Sequence, residues 1–199
     1  MMNVTESQKI IDREIKAIVE TIYQNRDNDS FYHKGTFNTK DLPHHNNYSH
    51  FPNINPDFQT IIFTKLNAIS KNHCLYWFEL ENEEKATELV NLLNDYRKIE
   101  GCKTVPPENK NKNSKVLYLG VRQGGVIKSG LTNIEGRMNQ HLGYYNMATT
   151  QGLQLYEYAK GKDFNITIKV VEFEGMEAYC LNVIEKLLAK KMMPLSGKH

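Results

Sequence analysis

The sequence predicts a mixed α/β fold of the α+β kind, in which helices flank a small, mainly antiparallel three-stranded sheet. Two short apolar runs, "CLYWFEL" at 74–80 and "KVLYLGV" at 115–121, combine aromatic and aliphatic residues as strands do. A third run, 165–174, begins with "NITIK", in which isoleucines alternate with polar residues as in a half-buried strand. Helical periodicity fills the stretches between these runs. The predicted order from the first run onward is therefore β, α, β, α, α, β, α.

The first 72 residues are predicted to form a helical appendage to this sheet. Residues 5–25 place four isoleucines on one helical stripe, and residues 57–71 have the pattern of a second helix. Between them, residues 28–56 contain three prolines and many asparagines, so we expect a long irregular loop. Residues 73–199 then make up the larger domain. The isoleucines of the stripe are Ile11, Ile15, Ile18 and Ile22.

The larger domain is predicted to contain four helices. The first, over 81–101, has one apolar face, and with the polar, basic loop that follows it forms an insertion over 81–114. Asn133 is suited to cap a short second helix. Another short helix is expected within 151–160, and the last one over 176–192. The apolar face of the first helix comprises Ala86, Leu89, Val90, Leu93 and Tyr96.

Composition excludes several classes of protein. A chain of 199 residues with 40% hydrophobic and 24% charged residues can bury a core and is typical of a globular protein. No apolar run approaches the length of a membrane span, and the N-terminal segment lacks the apolar centre of a signal peptide. The 3 cysteines have no CxxC spacing. They predict neither a disulfide framework nor a zinc site, and we expect reduced thiols in a cytoplasmic protein without a membrane partner.

Charge is distributed unevenly along the chain. Residues 1–102 hold 11 Lys and Arg against 15 Asp and Glu, a balance of −4, whereas residues 103–199 hold 14 against 8, a balance of +6. The two balances add to the net charge of +2. The basic half is compatible with a phosphate-facing surface, and also with a solvated, lysine-rich face.

Three side chains stand out as candidates for chemistry. Arg137 and His141 lie four residues apart, so they share one face of the short helix and are suited to bind an anion. Such pairs are also common on exposed helix surfaces. Glu185 follows Val183 and Ile184 in an apolar stretch, where a buried carboxylate needs a partner or a metal ion. The alternative is a solvent-facing glutamate at the edge of the apolar stripe.

Taken in chain order, these features resemble the GIY-YIG nuclease superfamily over residues 73–199. "CLY" at 74–76 stands where the family has its GIY motif, and "YLG" at 118–120 stands where it has YIG. Arg137 and His141 match the arginine of the family's helix and the histidine that frequently follows it.

The last part of the resemblance comes with departures from the family pattern. Glu185 matches the family's metal-binding glutamate, and "PLSG" at 194–197 stands near the closing Pro-x-x-Asn, although the asparagine itself is missing. Cys74 replaces the first glycine, and the insertion over 81–114 is longer than the family usually has. These departures concern the subclass more than the superfamily.

The resemblance implies a site that hydrolyses phosphodiester bonds with the help of one divalent ion, Mg²⁺ or Mn²⁺. In such a site Tyr76 would activate water, and Tyr118 would hydrogen-bond within the same network. Arg137 would stabilise developing negative charge, and His141 would orient a group or donate a proton. Glu185 would be the metal ligand.

The resemblance also implies contacts to the substrate. Gly120 would let a substrate approach the backbone closely, where a side chain would collide with it. Arg122, Lys128 and Lys198 would bind the nucleic acid.

The implied function is a metal-dependent endonuclease that cleaves DNA, with double-stranded DNA as the favoured partner and a restriction or defence role. Side chains that read bases would come from residues 28–56, 103–115 and 122–131, although the first of these segments also fits a mobile surface loop. One alternative is a nucleic-acid-binding protein of the same fold without turnover. Another is an interaction module built around the N-terminal helices.

Overall fold

The computed structural model describes residues 4–44, 65–124, 133–144 and 151–198. The α-helices and strands within them are, in chain order, α1 Val4–Gln24, β1 His33–Asn38, α2 Lys65–Ala68, β2 His73–Leu80, α3 Glu83–Arg97, β3 Val116–Arg122, α4 Ile134–Leu142, α5 Leu155–Tyr158, β4 Asn165–Phe173 and α6 Ala178–Met192. From β2 onward this is the predicted order of elements.

An antiparallel sheet with the strand order β1-β4-β2-β3 forms the centre of the molecule. Its strands β2, β3 and β4 are the three predicted ones, and the α+β class is confirmed. The fourth strand, β1, differs from the prediction because it falls in the segment 28–56 that was expected to be irregular. Its sequence "HKGTFN" buries Phe37 alone and pairs with β4 at the edge of the sheet. A strand of this kind has no apolar alternation by which the sequence could reveal it.

Strand β2 is buried on both faces and divides the core in two. Alternation sends Cys74, Tyr76 and Phe78 to the face that α3, α4 and α5 cover. It sends Leu75 and Trp77 to the opposite face, which α1 and α6 cover. The tyrosine of the first predicted strand therefore lies on the side of the sheet that carries α4.

The long amphipathic helices form as predicted. Helix α3 buries all of its predicted apolar face, and the Asn82 side chain caps it by accepting a hydrogen bond from the Lys85 amide at 2.8 Å. Helix α1 packs against α6 with Ile22 buried. Ile11, which belongs to the predicted stripe, is 58% exposed. Only the part of the stripe from Ile15 onward reaches the core.

Two predictions in the N-terminal region extend past the described residues. Of the helix predicted over 57–71, Lys65–Ala68 is helical, and residues 57–64 lie outside the described ranges. Residues 45–56 of the predicted loop lie outside them as well. None of the helices described combines the length and the apolar character that crossing a membrane requires.

The face of the sheet beneath α1 contains a buried charge cluster. Glu79 of β2 accepts hydrogen bonds from Lys169 Nζ at 2.6 Å and from Lys115 Nζ at 2.7 Å. Lys169 also donates to the carbonyl of Arg26, just after α1, at 2.8 Å. Glu79 and Lys169 are both buried, so their charges depend on each other for stability. The cluster links β2, β4 and the end of α1.

The segment after α6 runs along the outer edge of β3. The amides of Leu195 and Ser196 donate to the carbonyls of Val116 and Leu117, each at 2.9 Å. Ser196 also forms a parallel bridge with Tyr118. This segment therefore covers the first half of the edge strand.

Candidate active site

The two predicted tyrosines meet across the β2–β3 ladder because a glycine stands opposite Tyr76. Tyr76 pairs with Gly120 in the register of the two strands. A Cβ atom on Gly120 would lie 2.7 Å from the Tyr76 hydroxyl and 2.8 Å from Cε1 of Tyr118, which is closer than real side chains approach. The glycine thus makes room for the protein's own rings, whereas the sequence predicted a substrate at this place.

Strand alternation places Tyr118, Gly120 and Arg122 of β3 on the same face as Tyr76. The rings of Tyr76 and Tyr118 stack with their centroids 6.2 Å apart and an interplanar angle of 27°. Tyr76 is fully buried, whereas Tyr118 is partly exposed. Of the two phenols, Tyr118 is therefore the one that solvent reaches.

Helix α4 brings Arg137 and His141 over this face of the sheet. The predicted cap forms, since Asn133 Oδ1 accepts a hydrogen bond from the Gly136 amide at 2.9 Å. The helix ends at Gly143, which adopts the left-handed conformation with φ 97°. Arg137 and His141 are one turn apart, and both turn towards β2, as the spacing predicted.

The guanidinium of Arg137 joins the two tyrosines. Its Nε donates to the Tyr76 hydroxyl at 2.9 Å, and its Nη2 donates to the Tyr118 hydroxyl at 3.3 Å. Its Nη1 donates to Gln140 Oε1 at 2.9 Å and to the carbonyl of Gln151 at 2.7 Å. These bonds use four of the five N–H groups of the guanidinium and fix its plane. Burial disfavours the charge, but the two phenols outweigh it and raise the pKa of Arg137.

His141 is held in one tautomer. It is fully buried, and the Leu153 amide donates to its Nδ1 at 3.1 Å, so Nδ1 carries no proton. The proton of the neutral ring is therefore on Nε2, which lies 3.0 Å from the Tyr76 hydroxyl oxygen and donates to it. Burial, reinforced by the charge of Arg137, holds the pKa of His141 well below its usual value. His141 is thus a hydrogen-bond donor to Tyr76 and not a base for the Tyr76 proton.

The hydroxyl oxygen of Tyr76 accepts hydrogen bonds from both Arg137 and His141, an arrangement that favours the phenolate. Burial acts in the opposite direction and is the stronger effect. It raises the pKa of Tyr76, although the Arg137 charge lowers it. Tyr76 therefore keeps its proton at neutral pH, and its ionisation would require further positive charge nearby.

Glu185 lies half-buried on α6, close enough to Arg137 and Tyr76 for electrostatic interaction with both. Burial raises the pKa of Glu185 to about 7, although Arg137 and Lys186 act to lower it. No other residue that the structure describes makes a hydrogen bond or ion pair with its carboxylate. Glu185 thus stands between the two alternatives from the sequence, since it is neither paired in this way nor fully solvent-facing.

The side chains present fit a divalent ion bound by one carboxylate. A metal ion binds only the ionised carboxylate, so the raised pKa of Glu185 makes such binding depend on a pH above about 7. Mg²⁺ keeps several of its waters and is often bound by one or two carboxylates. Within the described ranges, no three His, Cys, Asp or Glu side chains converge as metal ligands. A cage of several protein ligands is therefore not formed by these parts of the chain.

The predicted substrate-binding residues are distributed over a wider surface. Arg122 is half-buried on the tyrosine face, where burial and the charge of Arg137 lower its pKa. Lys198 is exposed and lines a surface opening with Lys186 and Lys190. Lys128 lies outside the described residues.

Three groups that hold the cluster together were not predicted from the sequence. Gln140 is three residues from Arg137 on the same helix, and that spacing could have identified it. Gln151 acts through its backbone carbonyl and Leu153 through its backbone amide. Backbone groups leave no side-chain signal, so neither residue was detectable.

Comparison of this chain with protein-family models, with curated proteins and with solved structures finds no match in any of the three. A functional assignment therefore rests on the motif residues and on the geometry of the cluster they form.

Proposed function

We propose that this protein is a metal-dependent endonuclease that hydrolyses DNA phosphodiester bonds, with double-stranded DNA as the favoured substrate. The observation that carries the proposal is one guanidinium, that of Arg137, which is bonded to both Tyr76 and Tyr118 and interacts electrostatically with the half-buried Glu185. Phosphodiester hydrolysis needs a water nucleophile, positive charge for the transition state and a ligand for a divalent ion. These side chains can meet all three needs.

Burial divides the roles of the two tyrosines. Tyr118 is partly exposed, so we place it in contact with water or with a phosphate oxygen. Tyr76 is fully buried, and its hydroxyl accepts hydrogen bonds from both Arg137 and His141. We therefore assign it the role of orienting the guanidinium from the protein interior. The resemblance implied that Tyr76 activates water. Tyr76 could do so only when added positive charge lowers its pKa.

Two arginines provide positive charge for a phosphate on this face. Arg137 has one N–H beyond those in its four hydrogen bonds, and its charge persists at any working pH because its pKa is raised. Arg122 lies on the same face of β3 and interacts electrostatically with Arg137. A well-placed donor of this kind stabilises the transition state by about 3–4 kcal/mol.

Glu185 would hold the divalent ion, Mg²⁺ or Mn²⁺, together with waters. When bound, the ion would supply positive charge that polarises the phosphate and lowers the pKa of nearby hydroxyl groups. Glu185 must first lose its proton, which it does readily above about pH 7. His141 stays neutral in this range and keeps donating to Tyr76.

One observation favours the alternative of a nucleic-acid-binding protein without turnover. The Tyr76 oxygen is buried, and most of the N–H groups of Arg137 are already bonded within the protein. A cluster so well satisfied could serve to hold β2, β3 and α4 together. The two functions differ in whether the wild type cleaves DNA, and the nuclease further requires that cleavage depend on Glu185.

The test is cleavage of supercoiled plasmid at pH 8 with Mg²⁺ or Mn²⁺ by the wild type and by Glu185→Gln. The wild type is expected to produce nicked and linear DNA. The variant should be slower by about 100-fold or more, because several kcal/mol of metal-assisted stabilisation are lost. Exposed Glu174 provides the matched control, and Glu174→Gln should cleave like the wild type.

Each contrary result has a distinct meaning. A wild type that binds DNA but cuts with neither metal ion would favour the binding protein. Equal cleavage by wild type and Glu185→Gln would refute the role of Glu185. The finer proposal of a restriction or defence role is tested by sequencing the ends produced on genomic DNA, since random ends would exclude it.

A further inference from the structure

A lysine-rich groove lies beside the candidate active site. It consists of two surface openings, of about 660 Å³ and 290 Å³, that share Asn111 as a lining residue. We call this surface the basic groove, and its lysines are Lys110, Lys112, Lys186, Lys190 and Lys198.

The groove is built by the insertion and the C-terminal segment together. The side-chain amides of Asn109 and Asn111 donate to the carbonyl of Pro194 at 2.9 Å and 2.8 Å. The Gly197 amide donates to the carbonyl of Pro107 at 2.9 Å. These bonds fix the loop of the insertion against the segment that follows α6. The lysines of the groove therefore stand on an ordered frame.

Among the described residues, few carboxylates lie near the lysines of the groove. None of its five lysines has an ion-pair partner among the residues that the structure describes. Glu108 is the carboxylate among the lining residues, and it accepts a hydrogen bond from Asn94 at 2.9 Å. The groove therefore presents five lysines against one glutamate.

Two elements connect the groove with the candidate active site. Lys186 directly follows Glu185 on α6, and it lowers the Glu185 pKa through its charge. Ser196, two residues before Lys198, forms a bridge with Tyr118. Helix α6 and the C-terminal segment therefore carry residues of both the groove and the site.

We propose that the basic groove binds successive phosphates of the nucleic-acid backbone that flanks the bond to be cleaved. Lysines spread over two openings suit a row of phosphates better than one small anion, and ammonium groups bind phosphate without reading sequence. The inference rests on the proposed function for the identity of the partner. It assigns a purpose to the insertion at 81–114, which supplies one wall of the groove.

The experiment measures binding of a fluorescent DNA duplex by anisotropy, in EDTA so that no cleavage occurs, over a series of salt concentrations. Loss of two phosphate contacts in Lys190→Gln/Lys198→Gln should weaken binding. It should also make the plot of log affinity against log salt less steep by about 2. The control is Lys34→Gln/Lys162→Gln, with the same charge change at exposed sites, one of them on the opposite edge strand. Its slope should equal that of the wild type.

An unchanged slope in the groove variant would overturn the inference. A groove variant that binds DNA normally but no longer binds phosphatidylserine vesicles would also overturn it, because that result would assign the groove to a membrane surface. The outcomes remain separate from those of the nuclease test. Cleavage by the wild type with an unchanged slope in the groove variant refutes the groove alone. Binding that depends on the groove in a protein that never cleaves refutes the nuclease alone.

Discussion

Among the single residues of the candidate site, Glu185 is the one whose charge state changes near neutral pH. Its pKa is raised by burial from the ordinary value of 4.5 to about 7. Between these values the unfolded chain is ionised at this position and the folded protein is protonated. The folded state then binds more protons, so the free energy of unfolding falls as pH rises through this window.

We predict that Glu185→Gln stabilises the protein at pH 8 and leaves its stability unchanged at pH 4. The amide has the shape of the protonated acid and never ionises, so the variant avoids the cost of a half-buried charge. The gain at pH 8 should be on the order of 2 kcal/mol, from the pKa shift and partial solvent screening. Urea unfolding in EDTA at both pH values measures it.

Adding Mg²⁺ provides the second half of this test. An ion bound to the folded wild type should raise its unfolding midpoint, whereas Glu185→Gln should not respond. The control variant Glu174→Gln alters an exposed glutamate and should behave like the wild type at both pH values. If the difference in unfolding free energy between Glu185→Gln and the wild type were the same at pH 4 and at pH 8, that result would contradict the buried position assigned to Glu185.

The meeting of the candidate side chains was predictable in part. Chain order and spacing singled out Tyr76, Tyr118 and Arg137, and the structure joins them through hydrogen bonds. The tautomer of His141 was not predictable, because a backbone amide twelve residues away, that of Leu153, fixes it. The complete burial of Tyr76 was not predictable either, since it results from packing between elements that are distant in the sequence.

At the scale of elements, a helix or strand was predictable when the residues that specify it lie within or next to it in the sequence. Helix α3 has an apolar face within its own 15 residues and a cap, Asn82, directly before them, so it was predictable. Helix α4 was likewise marked by Asn133. Strand β1 has only Phe37 to bury and owes its existence to pairing with β4, more than a hundred residues away. No local pattern could have revealed it.

Helix α4 carries Arg137, so its cap should affect both stability and the site. We predict that Asn133→Ala lowers the free energy of unfolding by about 1–2 kcal/mol, because the buried Gly136 amide loses its acceptor. Cleavage should fall as well, since the start of the helix positions Arg137. Asn133→Ser should restore most of both properties. Chemical unfolding and the plasmid assay measure the two effects.

Asn82→Ala is the matched control for this prediction. Asn82 caps α3 through the same kind of hydrogen bond, at 2.8 Å to the Lys85 amide, but α3 carries none of the site residues. Its loss should reduce stability without a specific loss of cleavage. If both cap variants lose cleavage in proportion to stability, α4 does not position Arg137 in the way described.

At the scale of the whole molecule, the two faces of the sheet carry different groups of polar side chains. One face holds the tyrosines beneath α4, and the other holds the charge cluster of Glu79 and Lys169 beneath α1. Because Lys169 also bonds to the carbonyl of Arg26, the cluster attaches the end of α1 to β2 and β4. The N-terminal helix is thereby part of the structural support of the sheet.

We predict that Glu79→Gln destabilises the protein by about 3 kcal/mol, because it removes the buried partner of the Lys169 ammonium and leaves only exposed Asp27, at 3.9 Å. The double variant Glu79→Gln/Lys169→Met should lose less than the sum of the two single variants, since it removes both charges. Urea unfolding of the four proteins gives the coupling energy. Strict additivity would show that the two side chains do not stabilise each other.

The C-terminal segment along β3 has a consequence for how copies of this protein behave towards one another. An open edge strand offers unpaired amides and carbonyls, to which the edge of a second molecule can add, and such contacts start aggregates. Leu195 and Ser196 already occupy the carbonyls of Val116 and Leu117, so this part of the edge is closed to a neighbour. At the other edge, β1 carries the exposed Lys34 beside Gly35, and a charged side chain on an edge strand discourages strand addition. Edge-to-edge self-association of the sheet is thus opposed by the chain's own backbone along the first half of β3 and by the charge of Lys34 on β1.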